Sequence, residues 1–152
     1  MSARTDPLIS FHFGLDVGSF ITNAIFTEVS GLGSETEVTE FKTVTGQGND
    51  HVGYIQKIPG RLKWESITLK RGITSSTMDA WKWRKMVEDG NVQAARSNGT
   101  ISMFDDTGAL SAQWTFINGW PSKISGPSIK ADSNEVGIEE MTIVHEGIVR
   151  VS

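Results

Sequence analysis

Apolar and polar residues alternate in several stretches of this chain with the period of two that sends successive side chains to opposite faces of a strand. Phe11, Phe13, Leu15 and Val17 alternate with His12, Gly14 and Asp16 until Gly18-Ser19 interrupts the run. A half-buried strand is expected there, with His12 solvated on its polar face. Phe20–Ser30 predicts a second strand-like segment, ended by Gly31-Leu32-Gly33. Ile101 and Met103, then Leu110, Ala112, Trp114 and Phe116, alternate around Asp105-Asp106-Thr107-Gly108 and predict a hairpin over Thr100–Trp120. Pro121, Gly126 and Pro127 predict a break before a last strand region over Glu135–Val151. In that region the apolar phase shifts across Glu139-Glu140, from Val136 and Ile138 to Met141 and Ile143. His145 shares the side of Met141 and Ile143, where a hydrogen-bonded packing role is expected.

Helical spacing occurs once. Ser76 offers a cap, Asp79 suits the positive helix N-terminus and Gly90 supplies a stop, so a helix is predicted over about Thr77–Asp89. Ala80, Trp83, Met86 and Val87 share one arc and predict its core face. Trp81 falls outside that arc, among Arg84, Lys85 and Glu88, placed either to pack under a loop of its own domain or to meet a neighbouring molecule.

The stretch Glu35–Arg71 fits no self-contained pattern. Glu35–Thr45 is rich in β-branched residues, and it and Arg61–Arg71 read as long strands, joined over Thr45–Gly60 by a glycine-containing loop. Neither set of alternate positions in Glu35–Thr45 is a clean apolar face. A strand that commits no face to its own core implies a surface completed by something else. In the second segment Leu62 and Trp64 occupy even positions, but Ile67 and Leu69 odd ones. A bulge near Ser66, or a strand leaving one sheet for another, produces such a switch.

Composition narrows the classes. At 152 residues the chain suits one domain, 1–152, with 1–10 as an N-terminal arm. It has no Cys, which excludes disulfides, thiolate metal sites and cysteine nucleophiles. No segment has the apolar length of a signal peptide core or a membrane span, so synthesis in the cytoplasm without membrane insertion is expected. The net charge of −4 argues against nucleic-acid binding. The charge is unevenly spread: residues 1–56 carry two basic and seven acidic groups, 57–96 nine and four, and 97–152 three and seven. These blocks either neutralise one another within one fold or serve contacts between copies. No G-x-S-x-G elbow is present, His12, His51 and His145 lack metal-ligand spacing, and Gly46-Gln47-Gly48-Asn49-Asp50 has no following Lys-Ser/Thr. Asp105-Asp106 is explained by turn chemistry. No enzymatic activity, catalytic residue, metal or cofactor is expected.

Several strings in order resemble one family: FTEVSGL at Phe26–Leu32, KIPG at Lys57–Gly60, ITLKRGIT at Ile67–Thr74, a Trp-containing helix ending in Asp89-Gly90-Asn91, and WPSKISGPSIKADSNEVGIEEMTIVHEG at Trp120–Gly147. Together, across about residues 11–148, they resemble the phage tail tube proteins, in the branch of the contractile injection systems (antifeeding-prophage-like particles). The resemblance implies a mainly β fold, a small β-barrel or sandwich with one flanking helix, whose strands join between subunits into a lumenal barrel. It also implies a structural inner tube protein of stacked hexameric rings, with sheath, baseplate or spike and tube-terminating proteins as partners. Cargo or DNA would pass through the lumen without specific binding, and the chain would end in a phage tail or injection particle. Carried onto this sequence, Glu35–Thr45 and Arg61–Arg71 are the lumen-forming pair, and Thr45–Gly60 the loop reaching an adjacent ring or subunit. Tyr54-Ile55-Gln56 departs from the family pattern by extending that loop. The residues expected to line the lumen or meet a neighbouring subunit are Glu35, Glu37, Glu40, Lys42, Asn49, Asp50, Lys57, Arg61, Lys63 and Trp81. The alternative is a secreted ring protein of the type VI kind, acting as an effector chaperone or carrier.

Overall fold

The computed structural model describes residues 11–45, 52–72, 78–127 and 137–152. Among these lie β1 (His12–Val17), β2 (Ile21–Phe26), β3 (Glu28–Ser30), β4 (Ser34–Thr45), β5 (Val52–Trp64), β6 (Ile67–Gly72), α1 (Met78–Glu88), α2 (Val92–Ala95), β7 (Ser97–Phe104), β8 (Leu110–Ser125), β9 (Ile138–Val144) and β10 (Gly147–Arg150). The chain divides into two compact units, one running to Leu32 and resuming at Ser66, the other comprising Gly33–Glu65.

The first unit holds an antiparallel sheet ordered β2-β1-β7-β8-β9-β6-β3, with β10 also on β8. The expected mainly β fold is present, but among the described residues no ladder closes this sheet into a barrel. Alternation predicted its core well: Leu15, Val17, Ile21, Phe26, Ile67, Leu69, Ile101, Phe116, Met141 and Ile143 are all buried. Phe11, just before β1, and Leu110 are exposed, and Phe13, Met103 and Trp114 are half-buried. Phe20–Ser30 is two strands rather than one. β2 pairs with β1, and after Thr27, whose N–H donates to the Lys70 carbonyl at 2.9 Å, β3 pairs with β6. Asn23 lies in the left-handed region with φ 49°, and its N–H donates to Asp16 Oδ1. Asn tolerates this backbone, and the register between β1 and β2 shifts beside it.

Pro121 does not break the chain. The second strand of the expected hairpin continues through it to Ser125, and Pro121 is buried opposite Ile143 beside a register shift, where a missing N–H is tolerated. The turn behaves as expected. Asp105 Oδ1 accepts from Thr107 N–H, Thr107 Oγ1 and Ala109 N–H, and these bonds, the Thr107 hydroxyl first, hold its carboxyl below the usual carboxylate range. The expected phase shift at Glu139-Glu140 is absent. β6 and β9 pair in unbroken register, Glu139 points inward in step with Met141 and Ile143, and Ile138 is exposed. A carboxylate fills a core position, which hydrophobic periodicity registers as a gap. Residues 135–136 lie outside the described residues.

α1 packs against β8, burying Ala80 and Trp83. Its predicted cap Ser76 lies outside the described residues; its stop is as expected. Gly90 has φ 88°, its N–H donates to the Val87 carbonyl, and that of Asn91 donates to Met86, a Schellman ending that needs a residue without Cβ strain. α2 was not predicted, since four residues carry no periodicity. The Trp83 indole N–H donates to the Ala95 carbonyl at 2.8 Å and so secures α2 to α1, while the Phe20 ring stacks on Trp83 at 5.9 Å. His145 accepts from the Gly147 N–H at Nδ1, and its ring lies 6.1 Å from that of Phe116, the packing role expected of it.

Phe116 occupies space left by two glycines. A Cβ added at Gly99 would sit 2.3 Å from its Cζ, and one at Gly119 2.4 Å from its Cε2. Gly99→Ala is therefore expected to cost about 1–3 kcal/mol by overpacking, read as a lower urea midpoint at unchanged slope. Combined with Phe116→Leu, it should cost less than the sum of the two single changes.

Candidate functional site

The second unit is a two-stranded sheet, β4 paired with β5 from Ser34↔Trp64 to Thr45↔Val52. Two expectations are corrected here. Thr45–Gly60 is not a loop: strand β5 begins at Val52, so Tyr54-Ile55-Gln56 lies in the ladder, with Pro59 beside a register shift. Arg61–Arg71 is not one strand either. β5 ends at Trp64, and Ile67 begins β6 of the other sheet, so the switch near Ser66 is a change of sheet. Chain composition could not reveal this pairing because Gly53, Pro59 and Gly60 read as loop signals.

The register explains why no clean face was found. Cross-strand partners share a face, and between Thr36↔Leu62 and Val38↔Pro59 the single residue Glu37 opposes two, Gly60 and Arg61. Near the ribbon's base, Val38, Pro59, Leu62 and Trp64 share one face and Glu35, Glu37 and Lys63 the other. Beyond Val38 the assignment reverses with Ile55 as the exception: Phe41, Tyr54 and Ile58 share the face of Glu35, while Glu40, Lys42 and Lys57, with Ile55, share the face of Val38. The apolar side thus crosses the ribbon midway. Val38, Phe41, Tyr54, Ile55, Ile58 and Leu62 are 43% to 62% exposed. A two-stranded hairpin is marginal in water even with its faces covered, and these are not.

Charge on the ribbon is sorted by strand. β4 carries Glu35, Glu37 and Glu40 with one cation, Lys42; β5 carries Lys57, Arg61 and Lys63 and no acid. Glu35 lies opposite Lys63 and Glu40 opposite Lys57, and Lys63 Nζ is 2.6 Å from Glu37 Oε1. The acidic and basic blocks of the sequence meet here. All seven of these side chains are exposed. Asn49 and Asp50 lie outside the described residues.

Trp81 belongs to the other unit. Its indole N–H donates to Glu139 Oε2 at 2.7 Å, and its ring lines a shallow groove of about 480 Å³ with Met78, Lys82, Lys85 and Glu88. Glu139, 2% exposed, also accepts from Arg71 Nε, and Arg71, 5% exposed, reaches Asp79 Oδ1 through Nη2 at 2.7 Å. The Arg71 guanidinium lies 4.7 Å from the Phe26 ring centroid. This buried network joins β6, β9 and the first turn of α1. It escaped sequence reading because its members are distant in the chain. Among the described residues, no group of three or more His, Asp or Glu is placed to hold a metal ion, and no helix is long and apolar enough to cross a membrane.

The family model described as T4-like virus tail tube protein gp19 matches residues 9–149. This chain belongs to that family. Among solved structures, the chain is similar to one in the sheath-tube complex of the PVC extracellular contractile injection system in its extended state. The two are 26% identical with a TM-score of 0.74, covering 96% of this chain and 90% of that one. A chain of the PVC sheath/tube terminator is 25% identical with a TM-score of 0.75, covering all of both chains. Hcp1 from Flavobacterium johnsoniae shares the fold at 16% identity, with a TM-score of 0.54, covering 91% and 94%. No curated protein sequence gives a match. The resemblance read from the sequence, to tail tube proteins and contractile injection systems, is therefore correct.

The two charged regions of this tail tube protein should respond differently to substitution. Glu139→Leu leaves a buried guanidinium short of a partner and is expected to destabilise the chain by about 3 kcal/mol. Glu40→Gln, on the exposed ribbon, should change stability by less than about 0.5 kcal/mol. Urea denaturation of both variants checks the contrast.

Proposed function

We propose that this chain is the structural inner tube subunit of a contractile phage tail or phage-tail-like injection system. Six copies close into a ring around a hollow lumen, and rings stack into a tube. The observation that carries this reading is the β4–β5 ribbon, whose apolar side chains are exposed and whose outer ladder edges have no strand partner among the described residues. Burying a large apolar side chain fully is worth about 1.5–3 kcal/mol, so six on one ribbon are a strong drive toward association. Joining ribbons side by side in a closed ring pairs every edge and leaves none open to uncontrolled growth. The charges fall on both faces, Glu35, Glu37 and Lys63 on one and Glu40, Lys42 and Lys57 on the other, so each face of such a wall meets water over part of its length.

Sheath, baseplate or spike and tube-terminating proteins are the proposed partners, since chains of similar fold occur in the sheath-tube complex and the sheath/tube terminator. Cargo or DNA passes through the lumen without a specific site. The role is mechanical rather than enzymatic. The chain is made in the bacterial cytoplasm and ends in the assembled particle.

Electron microscopy and light scattering of the purified chain test this reading: six-fold rings or tubes are expected, alone or with sheath and baseplate components. A strict monomer under all these conditions would contradict it, and isolated rings that bind effectors without stacking would favour the secreted-carrier reading. Phe41→Glu and Leu62→Glu, at exposed positions on opposite faces, should each prevent assembly while shifting monomer stability by no more than about 0.5 kcal/mol.

A further inference from the structure

We propose that the sorting of charge between β4 and β5 is a pairing code between copies of this chain: the acidic strand of one ribbon is recognised by the basic strand of the next. The proposal rests on the ring reading above and adds to it what orients and matches the joining edges.

Within one chain, the ladder sets β4 beside β5 on a single edge only, so each strand keeps an outer edge without a strand partner among the described residues. Those two outer edges differ in sign. The β4 edge presents Glu35, Glu37 and Glu40, and the β5 edge Lys57, Arg61 and Lys63. The nearly pure separation is not needed for pairing inside the chain, where alternating signs on each strand would serve as well. It has a consequence only when ribbons are set side by side. A second copy placed head to tail brings a basic strand to the acidic edge, so each carboxylate then lies between two cation-bearing strands. Placed the other way, β4 meets β4 or β5 meets β5, and like charges oppose. Because the side chains are exposed, each pair adds little affinity; their effect is to exclude wrong orientations and registers. Head-to-tail contact is the heterologous kind that closes rings, whereas like-to-like contact would give two-fold dimers. The occupant of both edges is therefore another copy of this chain, chosen by charge complementarity.

The decisive test uses a full-length inverted chain, carrying Glu35→Lys, Glu37→Lys and Glu40→Lys together with Lys57→Glu, Arg61→Glu and Lys63→Glu. It keeps every opposite-charge pair within the ribbon while reversing both outer edges. Native mass spectrometry of differently tagged wild-type and inverted chains, mixed as monomers and then allowed to assemble, should show each forming its own rings. Mixed rings should fall at least about tenfold below the statistical share, because every mixed joint sets like charges together. Statistical mixing would overturn the proposal while leaving the ring reading intact. Absence of rings from wild type would instead overturn the ring reading. Should the inverted chain fail to fold by circular dichroism, the wild-type protein and its Glu40→Gln variant carry the test. Ring assembly should weaken as salt is raised across the Debye-screening range, and less steeply in the variant; equal salt dependence would overturn the code.

Discussion

The constraint behind this molecule is that a two-stranded ribbon cannot bury its own side chains. Two faces and only two strands give each residue neighbours along one ladder and water elsewhere. Gly33–Glu65 nevertheless devotes large apolar groups to both faces, on one side near the base and, Ile55 apart, on the other toward the tip. The crossing at Val38 follows from sequence and register, and it gives the ribbon two separate surfaces to be covered. Ring closure and stacking, as proposed, supply covering molecules without asking the ribbon to have a core of its own.

The other unit meets the opposite requirement, a stable folded body. Its interior is closely packed, with Phe116 fitted against Gly99 and Gly119 and Trp83 holding both helices. It also buries a charged network that ties α1 to β6 and β9 through Arg71, Asp79 and Glu139. Such networks add little net stability over a well-packed apolar set, but they fix one arrangement, because any partner moved aside leaves a charge unpaired. Trp81 is fixed by the same carboxylate, so the groove along α1 has a rigid wall. On the exposed side of the sheet, Lys70 lies opposite Glu28 and Glu140 in three-strand register, at 4.0 Å from each. These screened contacts contribute much less than the buried set.

Sequence reading succeeded where period and burial agree. The alternation around Leu15, Ile101 and Ile143, the Asp105 turn and the Gly90 stop were all legible because each expresses a local rule. It failed where tertiary partners override local signals. Pro121 and Pro59 read as breaks, yet both sit beside register shifts in strands. Glu139 read as a gap in the apolar phase because its partner, Arg71, lies far away in the chain. The absence of a clean face in Glu35–Thr45 was visible at once, but the crossing that explains it needed the register. The family was legible from ordered short strings, which periodicity alone could not have supplied.

The most direct measurement is hydrogen exchange on the β4 and β5 amides, compared between monomer and assembled particle. The account predicts fast exchange at amides on the outer edges of both strands in the monomer, and strong protection after assembly, with β7 and β8 protected alike in the two states. Equal exchange of the ribbon amides in monomer and particle would contradict it, because the ribbon would then be completed by nothing outside its own chain.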